Sequence, residues 1–300
     1  MASNLVELEY EKYKALDGIN FSMLKHYLDC PARFKFEYDR WKNNEQEDRE
    51  QFILGRALHH LTLQPDMFKK LYARLDTDKR PHPDKNYQNG DNRKWLADMK
   101  AEIGASGRIT LTTEFWNDVH GMAKSLNANR VVRNILSTSK LESTIAWKDE
   151  ESGVLCKGMA DIDNKERNYT CDLKSVLDAS KSGFRKSLEK YKYYMQLPFY
   201  SDGLRANDGV ERHSNYFICV EKTPPYLCAV YDLDDITKEV GRKVYKGLLL
   251  THAECVKNNE WKGYEIYSNN SHNVIEIGIS EYEFSRIENH PLMKAQADNI

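Results

Sequence analysis

Residues 158–174 read G-M-A-D-I-D-N-K-E-R-N-Y-T-C-D-L-K, and this stretch decides the fold. Its middle is a polar run with asparagine at both ends, which predicts a tight turn at 165–168 between two short strands. A hairpin with that turn brings Asp161 opposite Asp172. The sequence therefore predicts two carboxylates that face each other across neighbouring strands.

The two faces of this hairpin differ in character because side chains alternate between the faces of a strand. One face is expected to be mainly polar: Met159, Asp161, Asp163, Thr170, Asp172 and Lys174. The other face is expected to point into the core: Ala160, Ile162, Cys171 and Leu173. The apolar face favours a half-buried sheet, and a solvated surface hairpin is the alternative.

Opposed carboxylates repel each other when their Cβ atoms are roughly 5 Å apart. A divalent cation between Asp161 and Asp172 removes that cost. Mg²⁺ suits the pair because it binds through one or two carboxylates while keeping waters and phosphate oxygens. The carbonyl of Leu173 could add a ligand, and Lys174 is placed to orient water or stabilise developing charge. These residues point to metal-assisted phosphodiester hydrolysis.

The composition excludes several classes of protein. The chain has 300 residues, 30% charged and 40% hydrophobic, with a formal net charge of −2. It has no apolar run long enough to cross a membrane and no N-terminal signal, so a cytoplasmic protein without a membrane partner is expected. Its near-neutral charge does not by itself indicate nucleic-acid binding. The six cysteines show no C-x-x-C spacing, so buried free thiols are expected and an iron–sulfur cluster is not.

One domain over residues 1–300 is the simplest organisation. Residues 1–136 are predicted to be mainly helical, with a long helix within 110–136. Alternating strand patterns begin at residue 141, and 141–264 is predicted to form the core. Residues 265–300 form a C-terminal extension, in which apolar alternation predicts a last strand at 273–279.

The segment 180–205 follows the hairpin and is predicted to be helical, with a restart or kink near Pro198. Gln196 and Tyr200 lie four residues apart and therefore share one face. The exposed edge of this segment is basic: Lys181, Arg185 and Lys186. A basic edge is usually only solvated, but its place directly after D-L-K favours contact with phosphates.

Two upstream residues have open roles. His59 lies on the apolar helical segment 52–63, where a lone histidine is more often a hydrogen-bonded core residue than a ligand. Glu142 begins the strand pattern 142–148. Its side chain points either towards the carboxylates or to solvent, and the sequence favours neither.

Asp161 and the D-L-K of residues 172–174 resemble the PD-(D/E)XK nuclease signature, with Ala160 where the name of the signature has proline. The wider resemblance is to the RecE-type exonucleases (exodeoxyribonuclease VIII) and their phage-encoded relatives, and it extends from about residue 20 to 264. The supporting segments are F-S-M-L-K-H-Y-L-D-C-P-A-R-F at 21–34, G-R-A-L-H at 55–59, G-M-A-D at 158–161, D-L-K-S at 172–175, Y-Y-M-Q-L-P-F-Y-S-D-G at 193–203 and E-K-T-P-P-Y at 221–226.

The resemblance implies a fold and a set of site residues. The fold is α/β (α+β), a restriction-endonuclease-like core with a central mixed β-sheet flanked by helices and a helical N-terminal region. The implied metal ligands are His59, Asp161, Asp172 and the Leu173 carbonyl. Lys174 is the implied catalytic lysine. Gln196 and Tyr200 are implied to support the site or contact the scissile strand, and Glu142 matches an acidic position less securely.

Members of this family digest linear double-stranded DNA from 5′ ends with Mg²⁺, form ring-shaped homo-oligomers and work beside a single-strand annealing protein. The resemblance therefore implies a 5′→3′ exodeoxyribonuclease of phage or bacterial recombination, for which Mn²⁺ is expected to substitute. Its substrate would be double-stranded DNA with free ends, in the host cytoplasm if the protein is phage-encoded.

Two alternatives stay open. One is a non-catalytic DNA- or protein-binding module on the same fold. The other is a different PD-(D/E)XK nuclease, either an endonuclease or a RecB-like module, although no G-x-x-x-x-G-K-[ST] of a helicase is present. The intact Asp161, Asp172, Lys174 and Gln196 favour the enzyme, because a protein that does not cut has no need of the acidic pair.

Overall fold

The computed structural model describes residues 10–43, 45, 50–83, 89–268 and 274–289. The helices are α1 (Tyr10–Ala15), α2 (Phe21–Leu24), α3 (Pro31–Lys42), α4 (Glu50–Leu63), α5 (Pro65–Leu71), α6 (Gly90–Ala105), α7 (Thr113–Ala128), α8 (Arg130–Thr138), α9 (Lys181–Lys190), α10 (Tyr193–Asp208), α11 (Asp235–Asn258) and α12 (Glu281–Glu288). The strands are β1 (Tyr72–Leu75), β2 (Ile109–Thr112), β3 (Lys140–Lys148), β4 (Leu155–Asn164), β5 (Tyr169–Val176), β6 (Ser214–Glu221) and β7 (Cys228–Asp232). None of these helices is long and apolar enough to span a membrane.

The central sheet has the strand order β3-β4-β5-β6-β7. The pair β5–β6 is parallel and the other pairs are antiparallel, so the sheet is mixed. A parallel pair needs a long crossover, which α9 and α10 supply. This arrangement confirms the predicted mixed sheet flanked by helices. The parallel pair β1–β2 lies in the region that the sequence predicted to be mainly helical, and it was not foreseen.

The hairpin has the predicted register. Asp163 pairs with Thr170 and Asn164 with Tyr169, and residues 165–168 form the turn. The prediction that Ala160 lies on the same face of the hairpin as Ile162 is wrong. Ile162 packs on one side of the sheet, whereas Ala160 packs on the other. The change of side coincides with an interruption of the β3–β4 pairing at Asp161, the residue between Ala160 and Ile162.

Helices cover both sides of the sheet. On one side, Leu58 of α4 and Met122 of α7 pack with Ile162, Cys171 and Leu173 of the hairpin. On the other side, the second cluster combines residues of the N-terminal helices, α10 and α11 with β3 and β4: Leu24, Phe34, Phe199, Tyr245, Trp147 and Ala160. The hairpin strands are therefore fixed from above and below.

Helix α10 is held very close to α11. A Cβ added at Gly241 of α11 would overlap the carbonyl oxygen of Tyr194, so only glycine fits there. The same carbonyl lacks its usual helical donor because residue 198, four positions on, is a proline. Glycine thus allows α11 to pack against the turn of α10 that precedes Gln196.

The predicted helix 180–205 is two helices. Helix α9 ends at Lys190, and Lys192 adopts a left-handed conformation with φ of 61° before α10 begins. Pro198 lies inside α10, so the break comes earlier than the proline pattern predicted. The predicted helix within 110–136 is likewise divided into α7 and α8, because Asn129 ends the first helix and caps the second.

The predicted last strand at 273–279 is wrong for the described residues 274–279. Asn273 lies outside the described residues, and 274–280 is neither strand nor helix. The alternating apolar residues of this segment are typical of a strand, but no described strand pairs with it. Of the predicted extension 265–300, residues 269–273 and 290–300 lie outside the described residues.

A buried ion-pair network ties the end of β4 to the residues before β6. The guanidinium of Arg212 donates to both carboxylate oxygens of Asp163, at 2.7 and 2.8 Å, and to Asp208 on α10. The Arg212 side chain is 0% exposed. Asp163 therefore forms a structural ion pair with Arg212, apart from the carboxylate of Asp161 on the same strand.

We predict that Arg212→Ala lowers the free energy of unfolding by about 3–5 kcal/mol, because it leaves the Asp163 carboxylate buried without its counter-ion. The control Lys165→Ala removes an exposed partner of Asp208 and should change stability by less than about 0.5 kcal/mol. Urea denaturation followed by circular dichroism measures both. Equal stability of Arg212→Ala and wild type would contradict a structural role for the network.

Candidate active site

The site begins where β4 and β5 stop pairing. Beyond the pair Ile162–Cys171, the amide of Leu173 donates to Oδ2 of Asp161 at 2.8 Å instead of to a strand carbonyl. The Asp161 side chain thus satisfies a backbone donor that the separated strands leave open. This bond fixes the carboxylate beside Asp172, as the hairpin register predicted.

Glu142 of β3 completes an acidic group at the same place. Its φ is 55°, a left-handed conformation that is rare for a residue with a side chain and costs about 1–3 kcal/mol. Neither Glu142 nor Asp161 takes part in the β3–β4 pairing. Burial, and then the charges of Asp161 and Asp172, raise the pKa of Glu142. The Glu142 side chain therefore points towards the carboxylates, which is one of the two orientations that the sequence left open.

His59 reaches this group from α4. Its Nε2 lies 2.8 Å from the carbonyl oxygen of Leu173, which can only accept, so Nε2 holds a proton and donates. Its Nδ1 lies 3.4 Å from Oδ2 of Asp161. A nitrogen lone pair facing a carboxylate needs a proton or a cation between them. A backbone carbonyl on one ring nitrogen is also the usual way in which a metal-binding histidine is oriented.

The three side chains fit a divalent metal ion. His59, Glu142 and Asp161 each offer a ligand atom, and these atoms lie within 4.8 Å of one another. Neighbouring ligands of an octahedral ion with bonds of about 2.1 Å are about 3 Å apart. The distance of 3.4 Å between Nδ1 of His59 and Oδ2 of Asp161 is near that value. Carboxylate oxygens with one imidazole suit Mg²⁺ or Mn²⁺ better than a softer ion.

Asp172 lies beside that trio in a more buried position. Its Oδ1 accepts a hydrogen bond of 2.6 Å from Nε2 of Gln196, and its Oδ2 is 2.5 Å from Nζ of Lys174. Burial raises the pKa of Asp172, the Lys174 charge opposes that effect, and Asp161 adds to it. Among the residues that the structure describes, Oδ2 of Asp172 and Oε1 of Gln196 are buried without a well-aligned hydrogen bond. Oδ2 of Asp172 already has the Lys174 ammonium beside it, so Oε1 of Gln196 is the acceptor that a ligand or water could use.

Lys174 is held as a cation. Burial alone would lower the pKa of its ammonium, but the Asp172 charge raises it above the ordinary value. Its Nζ also lies 4.4 Å from the centre of the Tyr193 ring. Lys25, from the turn after α2, is close enough that the Lys174 charge adds to burial in lowering the pKa of Lys25. A second ammonium group thus lies within electrostatic range of Lys174.

Tyr200 packs against the backbone of β4. A Cβ added at Gly158 would lie 2.9 Å from Cε1 of the Tyr200 ring, so the glycine leaves room for this ring. Nε2 of Gln196 donates to the Tyr200 hydroxyl at 3.4 Å as well as to Asp172. Burial raises the pKa of the Tyr200 phenol, which therefore keeps its proton.

The structure thus brings together His59, Glu142, Asp161, Asp172, Leu173, Lys174, Gln196 and Tyr200. Lys181, Arg185 and Lys186 lie apart from this group on α9, and all three are exposed. The sequence did not single out Lys25 or Tyr193. Tyr193 contacts Lys174, and Lys25 comes within range of the Lys174 charge, through packing that no local spacing signals.

Comparison with known proteins agrees with this geometry. A family model described as a PDDEXK-like domain of unknown function (DUF3799) matches residues 20–268. A search of curated proteins gives no match. A structure of a protein described as a candidate exonuclease from Eubacterium rectale is 14% identical, covers 93% of this chain and 98% of its own, and has a TM-score of 0.58. This likeness shows the fold.

Two further structures are less similar. A phage-related exonuclease from Haemophilus somnus 129PT is 10% identical, with 60% of this chain and 91% of its own covered and a TM-score of 0.32. An alkaline exonuclease from Laribacter hongkongensis is 13% identical, with 62% of this chain and 92% of its own covered and a TM-score of 0.24.

We predict opposite effects of Glu142→Gln with and without metal. Without metal, losing one of three crowded carboxylates should raise the melting temperature. With Mn²⁺, the affinity measured by calorimetry should fall at least about tenfold, because a ligand charge is lost. The exposed Glu150→Gln is the control and should leave both unchanged. Wild-type Mn²⁺ affinity in Glu142→Gln would remove Glu142 from the ligand set.

Proposed function

Because the chain belongs to the PDDEXK-like family (DUF3799), we propose that it is a metal-dependent exodeoxyribonuclease that hydrolyses phosphodiester bonds of linear double-stranded DNA. One observation carries the proposal. It is that His59, Glu142 and Asp161, whose possible ligand atoms lie within 4.8 Å of one another, are next to the buried ion pair of Asp172 and Lys174. The same fold in a protein described as a candidate exonuclease supports it.

His59, Glu142 and Asp161 would hold the metal, and Asp172 and the Leu173 carbonyl would add ligands from the adjoining strand. Mg²⁺ is the proposed ion, with Mn²⁺ able to substitute, since the donors are mostly oxygen. When bound, the ion supplies a Lewis acid that polarises a phosphoryl oxygen and lowers the pKa of a water.

The protein side chains supply orientation and charge. Lys174 is kept protonated by Asp172, so its ammonium can hold the attacking water or stabilise charge that develops on the phosphate. Gln196 fixes the Asp172 carboxylate through Oδ1, and Tyr200 limits the movement of Gln196. These bonds hold the reacting groups in position before substrate binds, which is the main means of catalysis in phosphoryl transfer.

The substrate is proposed to be DNA with free ends. The exposed Lys181, Arg185 and Lys186 of α9 follow the site strand directly and are proposed to contact backbone phosphates. Lys25, which lies within electrostatic range of Lys174, is proposed to add positive charge near the site. The 5′→3′ direction, the role in phage or bacterial recombination, the ring-shaped oligomer and the annealing partner stay predictions from the RecE-type resemblance.

We predict that the purified protein degrades linear duplex DNA and spares closed circles. Asp172→Ala and Lys174→Ala should each lower the rate by about a hundred- to a thousand-fold or more, with little loss of fold by circular dichroism. Lys69→Ala, which removes an exposed ammonium on α5, should act like wild type. Labels on the 5′ or 3′ ends report the direction.

Two outcomes of that assay would contradict different elements of the proposal. Cleavage of closed circles would overturn the exonuclease assignment while leaving a nuclease. Wild-type activity in Asp172→Ala would overturn the assignment of the site.

We predict that a chelator such as EDTA abolishes hydrolysis and that added Mg²⁺ restores it, because the crowded carboxylates need a divalent cation. Ca²⁺ is the control ion, since its larger, more flexible shell should support binding with much less hydrolysis. Undiminished hydrolysis after removal of all divalent ions would contradict metal dependence.

A further inference from the structure

An exposed aromatic ring lies close to the candidate active site. Tyr191, the residue that follows α9, is 43% exposed, and its ring centre is 5.4 Å from that of Tyr193. The Tyr193 ring centre in turn is 4.4 Å from Nζ of Lys174. The two distances together put the centre of the Tyr191 ring no more than about 10 Å from that ammonium. An aromatic surface is therefore open to solvent beside the site.

The backbone between the two tyrosines brings their rings together. Residues two apart on one helix do not face each other, so Tyr191 and Tyr193 would not meet if α9 continued into α10. The chain instead turns at Lys192, whose φ of 61° is a left-handed conformation that is unfavourable for a residue with a side chain. Such conformations are concentrated at active sites and ligand-binding segments, where the surrounding structure holds them. The turn therefore points to a function for the rings on either side of it.

Packing fixes Tyr193 but leaves much of Tyr191 in solvent. Tyr193 is partly buried, and its ring centre lies 5.9 Å from that of the buried Phe217 on β6. The amide of Tyr191 donates to the Ser187 carbonyl at 2.9 Å, which fixes its backbone on the last turn of α9. Its hydroxyl makes no hydrogen bond within the described part of the chain. The ring is thus held in place while its outer surface stays open.

An ammonium group lies against the Tyr191 ring. Nζ of the exposed Lys190 is 5.4 Å from the ring centre. A contact of this kind at an exposed position is weaker than the stacking of a nucleobase on an aromatic side chain, so a base can displace the lysine. The exposed Glu189 precedes Lys190 and balances its charge. The ring, and not the net charge, is therefore the feature that selects a ligand here.

A nucleobase at the end of a DNA duplex fits this surface. Bases stack on exposed aromatic side chains with little dependence on sequence, because every base has a flat aromatic face. Inside a duplex both faces of a base are covered by its neighbours, whereas the last base pair has one open face. The base of the terminal nucleotide is also joined through one sugar to the phosphodiester that an exonuclease cuts first. A ring beside the site can therefore hold that nucleotide.

We propose that Tyr191 is a substrate-binding residue, which stacks on the terminal base of the strand that is cut and so positions the first phosphodiester near Asp172 and Lys174. This inference rests on the proposed function, because it takes DNA with a free end as the ligand. It also gives a physical reason for a preference for ends, since a closed circular duplex has no open base face for Tyr191.

The test is binding of a linear DNA duplex with fluorescein on an internal thymine, followed by fluorescence anisotropy in Ca²⁺. Tyr191→Ala should raise the dissociation constant about five- to a hundred-fold, the range for the loss of one stacked base. Tyr191→Phe keeps the ring and should bind like wild type. Tyr282→Ala removes an exposed tyrosine from α12, which contributes none of the site residues named above, and should also bind like wild type.

Duplexes without a terminal base separate stacking from a structural effect of the substitution. One duplex has abasic nucleotides at both 5′ ends, and a second has them at both 3′ ends. Wild type should lose about five- to a hundred-fold in affinity for one of the two, and Tyr191→Ala should cause no further loss with that duplex. The sensitive end should be the one from which end-labelled DNA is degraded in Mg²⁺. A merely structural role of Tyr191 would weaken binding to both abasic duplexes as much as to the intact one.

The outcomes distinguish this inference from the proposed function. Wild-type affinity of Tyr191→Ala for the intact duplex, a Tyr191→Phe variant as weak as Tyr191→Ala, an equal further loss on both abasic duplexes, or sensitivity at the end that is not degraded would overturn the stacking role alone. Absence of DNA binding by wild type would overturn both. The predicted pattern of binding without hydrolysis in Mg²⁺ would overturn the nuclease activity and leave Tyr191 as a DNA-end contact. Circular dichroism of each variant shows that the fold is kept.

Discussion

The site depends on the separation of β4 from β5 at Asp161. Regular pairing would leave no room between the strands, and the Asp161 carboxylate replaces a strand carbonyl as the acceptor for Leu173. The same separation brings Glu142, Asp161 and Asp172 together in a partly buried place. Three carboxylates there repel one another, and either protonation of Glu142, whose pKa is raised to about 8, or added positive charge relieves the repulsion. Lys174 supplies some of it, and a divalent ion is the natural source of the rest.

The remaining structure keeps this crowded group in position. His59 reaches it from one side of the sheet on α4, and Gln196 reaches it from the other side on α10. Helix α10 cannot easily move, because Gly241 of α11 packs against its Tyr194 carbonyl. The site residues therefore come from several elements that two core layers hold together, which is the preorganisation that catalysis by positioning requires.

The hairpin, its register and the facing of Asp161 and Asp172 could be predicted because a polar turn and strand alternation are local signals. The sequence could not predict the direction in which the Glu142 side chain points, since the left-handed backbone of this residue depends on the interrupted pairing with β4. Lys25 was missed because it comes within range of the Lys174 charge only through packing between remote segments. The apolar pattern at 273–279 was recognised, but a strand also needs a neighbour, which the described residues of one chain do not provide.

The anomalous signal of Mn²⁺ in a crystal structure of the protein grown with that ion would show whether the separated strands form a metal site. We expect a peak bonded to His59, Glu142 and Asp161, on the Asp172 side of the separated strands. A protein that hydrolyses DNA with Mn²⁺ but shows no peak at these residues, or one only elsewhere, would contradict it.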